Sequence, residues 1–275
     1  MAMIRIGDVW DRTVDVLRGR AGILTSIALL TLVLPGIVGA ALGTLVPLAG
    51  SAAIVGPLLR LGVLVLLILG VLAMTAVASD PAVDRAQALR IAGERLLPAL
   101  GVLVVLVAAA IVVFIPAGAL LALSGATLSM GGKLDMSHAA PGYTAGAGLS
   151  VLLAVLLGLW FSARIVPLFG IVTNERRGLG ALRRSLALSK GSTLKLIGVL
   201  ILYFIITTVA MLAATSVVGI IARLILGGEA QGGVGFVVAV ISTLISAGAT
   251  MVQSVFYARF YVAAVEREHR MAPLA

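Results

Sequence analysis

The stretch LIGVLILYFIITTVAMLAATSVVGIIA, residues 196–222, runs for 27 positions without a formal charge. As a helix at 1.5 Å per residue it reaches about 40 Å. That exceeds the ~30 Å hydrocarbon core of a bilayer. Five more uncharged runs accompany it, at 21–59, 61–79, 96–132, 136–163 and 230–258. They predict six membrane-spanning helices at about 22–46, 58–78, 98–122, 148–171, 196–222 and 234–261. Open strands leave backbone groups unpaired in lipid, and no alternating barrel pattern is present. The expected fold class is therefore an all-α integral membrane protein.

Composition points the same way. Of 275 residues, 61 % are apolar and 11 % charged, and the mean hydropathy is +1.20. A soluble domain carries roughly 25 % charged residues, so a water-soluble globule, a disordered chain and a fibre are excluded. There is no cysteine and only two histidines, His138 and His269. Disulfides, thiolate metal sites and cysteine nucleophiles are ruled out, and a multi-histidine metal site is not expected. The residues 4–20 carry Asp8, Asp11 and Asp15 and precede a long apolar run, so a retained first span is expected rather than a cleaved signal peptide.

The net charge of +9 would suggest nucleic acid in a soluble protein. Here the charge lies in short loops beside apolar spans, where it reports orientation, and no nucleic-acid partner is expected. Sixteen Lys and Arg fall at the N-terminus, in loops 79–97 and 172–195, and at the C-terminal end. Only Arg60, Lys133 and Arg223 fall on the opposite side, and Arg164 lies within the fourth span. The bias predicts both termini in the cytoplasm.

Three basic segments are expected as amphipathic elbow helices lying at the membrane surface, at 6–19, 81–93 and 178–190. Asp8 and Asp80-Pro81 look like starts for the first two. Their apolar stripes are Trp10, Val14 and Leu17; Val83, Ala86, Leu89, Ala92 and Leu96; and Leu179, Leu182 and Leu186. Each is expected to break at a glycine, Gly19, Gly93 or Gly191, before a two-span hairpin. LRGRAGILTSIALLTL, LRIAGERLLPALGVLVVL and LALSKGSTLKLIGVLILY align around that glycine. The pattern suggests a three-fold helical-hairpin repeat, either a duplication or the regularity of any basic loop between hairpins. The segments 47–57 and 124–147 read as an apolar turn and a mobile Gly/Ser/Ala-rich loop on the far side.

Candidate chemistry is sparse. Arg164 in LWFSARIVPLFG lies roughly 10 Å inside its span by helical rise. A charge there costs about 2.5–3.5 kcal/mol on insertion scales, so it must be solvated. Three readings stand: snorkelling to headgroups, bonding to carbonyls freed near Pro167, or gripping a lipid phosphate or anionic solute. Arg183, Arg184 and Lys190 in the basic loop join it as candidates for lipid-phosphate or anion binding. No Asp or Glu falls in any predicted span, which speaks against proton-coupled transport. Ser242, Ser246, Thr250 and Ser254 recur every four residues in the sixth span, a stripe expected to pack helices, with a polar pore lining as the alternative. His138 beside Asp135 and Ser137 lacks the setting of a triad or metal site, and no catalytic residue, metal or cofactor is expected.

The run ARIVPLFGIVTNERRGLGALRRSLALSKGSTLKLIGVLILY, residues 163–203, resembles the membrane domain attached to some bacterial glycerophosphoryl diester phosphodiesterases. It is similar too to six-span bacterial inner-membrane proteins of uncharacterised role. Arg164, Pro167, Glu175, the segment Ala181-Leu182-Arg183-Arg184-Ser185 and Lys190-Gly191 carry the resemblance, with FYARFYVAAVERE at the end and IRIGDVWDRTVDVLRGR at the start. In that family the phosphodiester chemistry belongs to a separate soluble barrel with His and acidic metal ligands, which this chain is expected to lack. The resemblance thus implies a non-enzymatic membrane module. Phospholipids are the expected partners, with partner membrane proteins or a second copy also open. A transporter or lipid facilitator with a polar cavity near Arg164 is the alternative.

Overall fold

In lipid a backbone has no water to bond, so long apolar segments close their own hydrogen bonds as helices. The computed structural model describes residues 5–44, 52–128, 134–135, 139–227 and 230–271. It is an all-α membrane protein with six helices long and apolar enough to cross a bilayer. Helix α1, Ile6–Gly19, leads into the first span, which is α2 (Ala21–Ala28), a π-helical turn Leu29–Val33, and α3 (Leu34–Thr44). The second is α4, Ala52–Ser79, and the third α5, Arg85–Leu123. The fourth is α6, Pro141–Arg164, continued after a turn by α7, Leu168–Asn174. Then follow α8 (Gly180–Leu188), α9 (Thr193–Leu226) and α10 (Gln231–Met271). A two-residue antiparallel ladder, β1 (Thr127–Leu128) with β2 (Leu134–Asp135), closes the far-side connection. His138, Lys133, Glu229 and residues 47–51 of the predicted turn at 47–57 lie outside the described residues, while 52–57 belong to α4 rather than to a turn.

The helices pair as three hairpins: the first span on α4, α5 on α6, and α9 on α10. Between hairpins α4 meets α5, α6 meets α9, and α10 meets α3, which closes a ring. Inside that ring α4, α7 and α10 touch one another. The elbows follow the same rotation, with α1 on α10 and α8 on α7. The contacts therefore run in one cyclic order around the three hairpins.

Burial is concentrated at the basic end. Leu72, Met74, Val77, Val166, Leu168, Ile171, Val255 and Phe260 are all nearly inaccessible. Toward the far side, α5, α6 and α9 turn large apolar residues outward, Phe114, Leu153 and Phe204 among them, as a lipid-facing surface requires. Close helix approach depends on three glycines at different depths. A Cβ on Gly70 would meet Thr31 Oγ1 at 2.2 Å, and one on Gly36 would meet Thr243 Cγ2 at 2.5 Å. One on Gly170 would meet the Tyr261 ring at 2.5 Å.

Several expectations are corrected. Gly93 does not break its segment: α5 runs unbroken through it, and through Pro98. Ala88, Ala92, Ala99 and Val102 form one buried stripe across the glycine, and that continuous packing outweighs its weak helix propensity. The third elbow does stop before its glycine: α8 ends at Leu188, and Gly191 lies in the turn before α9 at φ +87°, a backbone region that disfavours a Cβ. Gly19 is the last residue of α1, and the chain re-enters a helix at Ala21. The predicted fourth span is interrupted at Ile165–Pro167, because proline lacks the N–H that would continue the ladder.

The caps differ too. Asp8 lies inside α1 and caps nothing; Arg5 holds the N-cap position without a side-chain bond. Asp80 accepts from Ala82 N in a turn, while Asp84 caps α5 by accepting from Gln87 N at 2.8 Å. In two elbows the face buried against the protein is shifted from the apolar stripe: it is Val9, Thr13 and Val16 in α1, and Ala181, Ser185 and Leu188 in α8. In the second elbow Val83 and Ala92 of the expected stripe are buried, together with Ala88, while Ala86 is exposed. Trp10 at 48 % and Leu179 at 59 % exposure are left pointing outward. The small and β-branched residues fit the tight helix crossings, and the bulky ones face lipid.

Candidate functional site at the basic end of the bundle

Pro167 creates the first feature of the site. Leu168 N turns to Ile165 O at 2.9 Å, so it no longer serves Arg164 O. The fully buried Ser185 of α8 takes over, its Oγ donating to Arg164 O at 2.8 Å. The Arg164 side chain answers: Nη1 donates to Leu186 O at 2.8 Å, and the guanidinium stands 5.1 Å over the Trp160 ring. Trp160 gives the cation a polarisable face where water is scarce. Arg164 is thus solvated by α8 and by an aromatic ring, and the carbonyl it uses is not one in the proline turn.

The four basic candidates do not converge. Arg183 and Lys190 are exposed. Arg184 is committed to carboxylates: Nε meets Glu175 Oε1 at 3.3 Å, Nη1 donates to Glu268 Oε1 at 2.7 Å, and Nη2 bonds Glu268 Oε2. The hydrogen bond to Glu268 raises the Arg184 pKa further above its ordinary value, although burial opposes it. The same bond holds Glu268 below the usual carboxylate range. Arg177 also reaches Glu175, at 3.1 Å, and Tyr261 Oη donates to it at 3.4 Å. Glu175, Arg184 and Glu268 therefore tie α7, α8 and α10 together, and Arg184 is corrected from an anion-binding candidate to a structural junction.

Arg20, counted from sequence only for topology, makes a second junction. Its Nη1 donates to Val77 O at 2.6 Å and Asp80 O at 3.0 Å. Its Nη2 donates to Pro81 O at 2.6 Å and Val83 O at 2.9 Å. One guanidinium thereby bonds a carbonyl in the last turn of α4, where helix geometry leaves acceptors without partners, and three more in the connection that follows. Asn174 Nδ2 bridges α7 to α4 through Ser79 Oγ at 3.2 Å. No sequence signal marked these roles, since the acceptors are backbone atoms some sixty residues away.

Among the described residues the hydroxyl stripe forms its hydrogen bonds within its own helix. Ser242 donates to Val238 O and Ser254 to Thr250 O, both within α10. Ser254 is buried and Ser246 exposed, with Ser242 and Thr250 between. The close crossing is made one position over, by Thr243 against Gly36. Among the described residues, no cluster of three or more His, Cys, Asp or Glu could hold a metal ion.

Searches of protein-family models, curated proteins and solved structures found no match to this chain.

Proposed function

We propose that this chain is a non-enzymatic module of the bacterial inner membrane, with both termini in the cytoplasm, that interacts with anionic phospholipids at its basic end. The observation that carries the reading is the pairing of exposed cations with exposed bulky apolar residues on the elbows. Arg18, Arg90, Arg183 and Lys190 are exposed, alongside Trp10, Leu97 and Leu179. That is the surface of helices lying in a headgroup layer, where each Lys or Arg near an anionic leaflet contributes about 1 kcal/mol. The transporter alternative needs Arg164 to line a polar cavity; its bond to Leu186 O and its stacking on Trp160 favour the first reading.

Native mass spectrometry of the detergent-purified chain tests lipid binding. Retained phosphatidylglycerol in excess over phosphatidylcholine is expected; no retained phospholipid overturns the reading. Orientation is tested by single cysteines in this cysteine-free chain. Arg18→Cys is expected to react with impermeant maleimide only from the cytoplasmic side, and Tyr143→Cys only from the other. The reverse pattern refutes the assigned topology.

A further inference from the structure

Arg164 has a counterpart. Phe161-Ser162-Ala163-Arg164 and Phe256-Tyr257-Ala258-Arg259 share one pattern, on the second helices of the second and third hairpins. Ala163 and Ala258 are both fully buried. Both arginines carry a buried Nε without a partner. By the rotation of the ring, α8 is the elbow next to Arg164, and α1 is the elbow next to Arg259.

The two guanidinium groups differ in what they meet. Arg164 has Leu186 O and the Trp160 ring. Arg259 forms no hydrogen bond or ion pair among the described residues. The charged groups acting on it are Arg12, Glu266, Arg20 and Asp15. Glu266 is already shared by Arg12 at 3.4 Å and Arg270 at 3.7 Å. Arg20 spends its donors on neutral carbonyls, which leaves its charge uncancelled. At this point of the crossing three cations, Arg259 included, stand against two carboxylates, and the Arg259 guanidinium is unused among the described residues. Trp10 fixes its depth: it is half-exposed and packs on Phe256 at 6.3 Å, one turn before Arg259. Tryptophan so placed marks the level of the headgroups.

We infer that Arg259 and Arg12 bind the phosphate of an anionic phospholipid at the crossing of α1 and α10, with Arg20 adding to the positive field. A guanidinium fork matches phosphate oxygens in geometry and charge. The acyl chains would leave past Trp10 into lipid. The inference rests on the phospholipid reading above and gives it a location.

The test is native mass spectrometry of the full chain with added phosphatidylglycerol, in wild type, Arg259→Gln, Arg12→Gln, Arg259→Lys and, as a control at the opposite end of the bundle, Arg60→Gln. Bound phosphatidylglycerol is expected to fall about tenfold in Arg259→Gln, a loss of roughly 1.4 kcal/mol. It should fall less in Arg12→Gln, recover in part in Arg259→Lys, and stay at the wild-type level in Arg60→Gln. If Arg259→Gln does not fold, Arg12→Gln decides. Wild-type binding in both neutral variants overturns this site while leaving the phospholipid reading intact. No phospholipid on the wild type overturns both. Inorganic phosphate that displaces the lipid at equal concentration overturns a lipid occupant in favour of a free anion.

Discussion

Arg164 and Ser185 bind in opposite directions across the α6–α8 crossing. Ser185 Oγ donates to Arg164 O, and Arg164 Nη1 donates to the carbonyl of the residue after Ser185, both at 2.8 Å. The proline turn frees one acceptor, the end of α8 offers another, and two side chains satisfy both. Ser185→Ala should therefore cost about 1–3 kcal/mol, the penalty of an unmatched polar group. Arg164→Ala should cost a similar amount, and the double variant less than the sum, by ~0.5–3 kcal/mol of coupling. Reversible unfolding in mixed micelles measures all three; strict additivity would show that the clasp carries no joint stability.

Gly170 lies beneath Tyr261, with no room for a methyl group between α7 and α10. Gly170→Ala should destabilise by about 1–3 kcal/mol through overpacking. Adding Tyr261→Ala should remove most of that extra penalty, since the clash is with the ring. Thermal unfolding of the single and double variants would show whether the effect depends on the ring.

The two glycines aligned by sequence should respond with opposite sign. Gly191 has φ +87°, and alanine there should cost about 1–2 kcal/mol. Gly93 is helical with nothing within 4 Å of an added Cβ. Gly93→Ala should stabilise by about 0.5–1 kcal/mol through helix propensity. Melting temperatures of the two variants moving in the same direction would refute the unbroken α5.

Glu268 is held below its ordinary value of 4.5, first by its hydrogen bond to Arg184. A depressed carboxylate contributes stability that is full above the unfolded-state value and is lost as pH falls through the folded one. The melting temperature of Glu268→Gln should therefore lie below wild type at neutral pH, and the gap should close on acidification below pH 4.5. The exposed carboxylate keeps this effect modest, because solvent screens it. A gap that is constant with pH would mean that the lost contact is steric rather than ionic.

Chain composition alone determined the class, the number of spans and which end is basic. Those properties follow from one-dimensional facts: a run of some twenty uncharged residues has a single stable state in hydrocarbon, and charges next to it stay in water. The hairpin order was also legible, since short connections force neighbouring spans to be antiparallel. Tertiary structure alone decided the roles of the arginines. Arg20, Arg164 and Arg184 look alike in sequence, yet one binds four carbonyls, one pairs with α8 and an indole, and one joins two carboxylates. Their partners are distant in sequence, and most are backbone atoms that every residue carries, so no side-chain pattern announces them. Likewise Gly93 and Gly191 differ only in whether neighbouring helices hold the chain straight through them. Arg259 stands apart for the same reason: only the packing of α1 on α10 shows that its charge has no partner among the described residues.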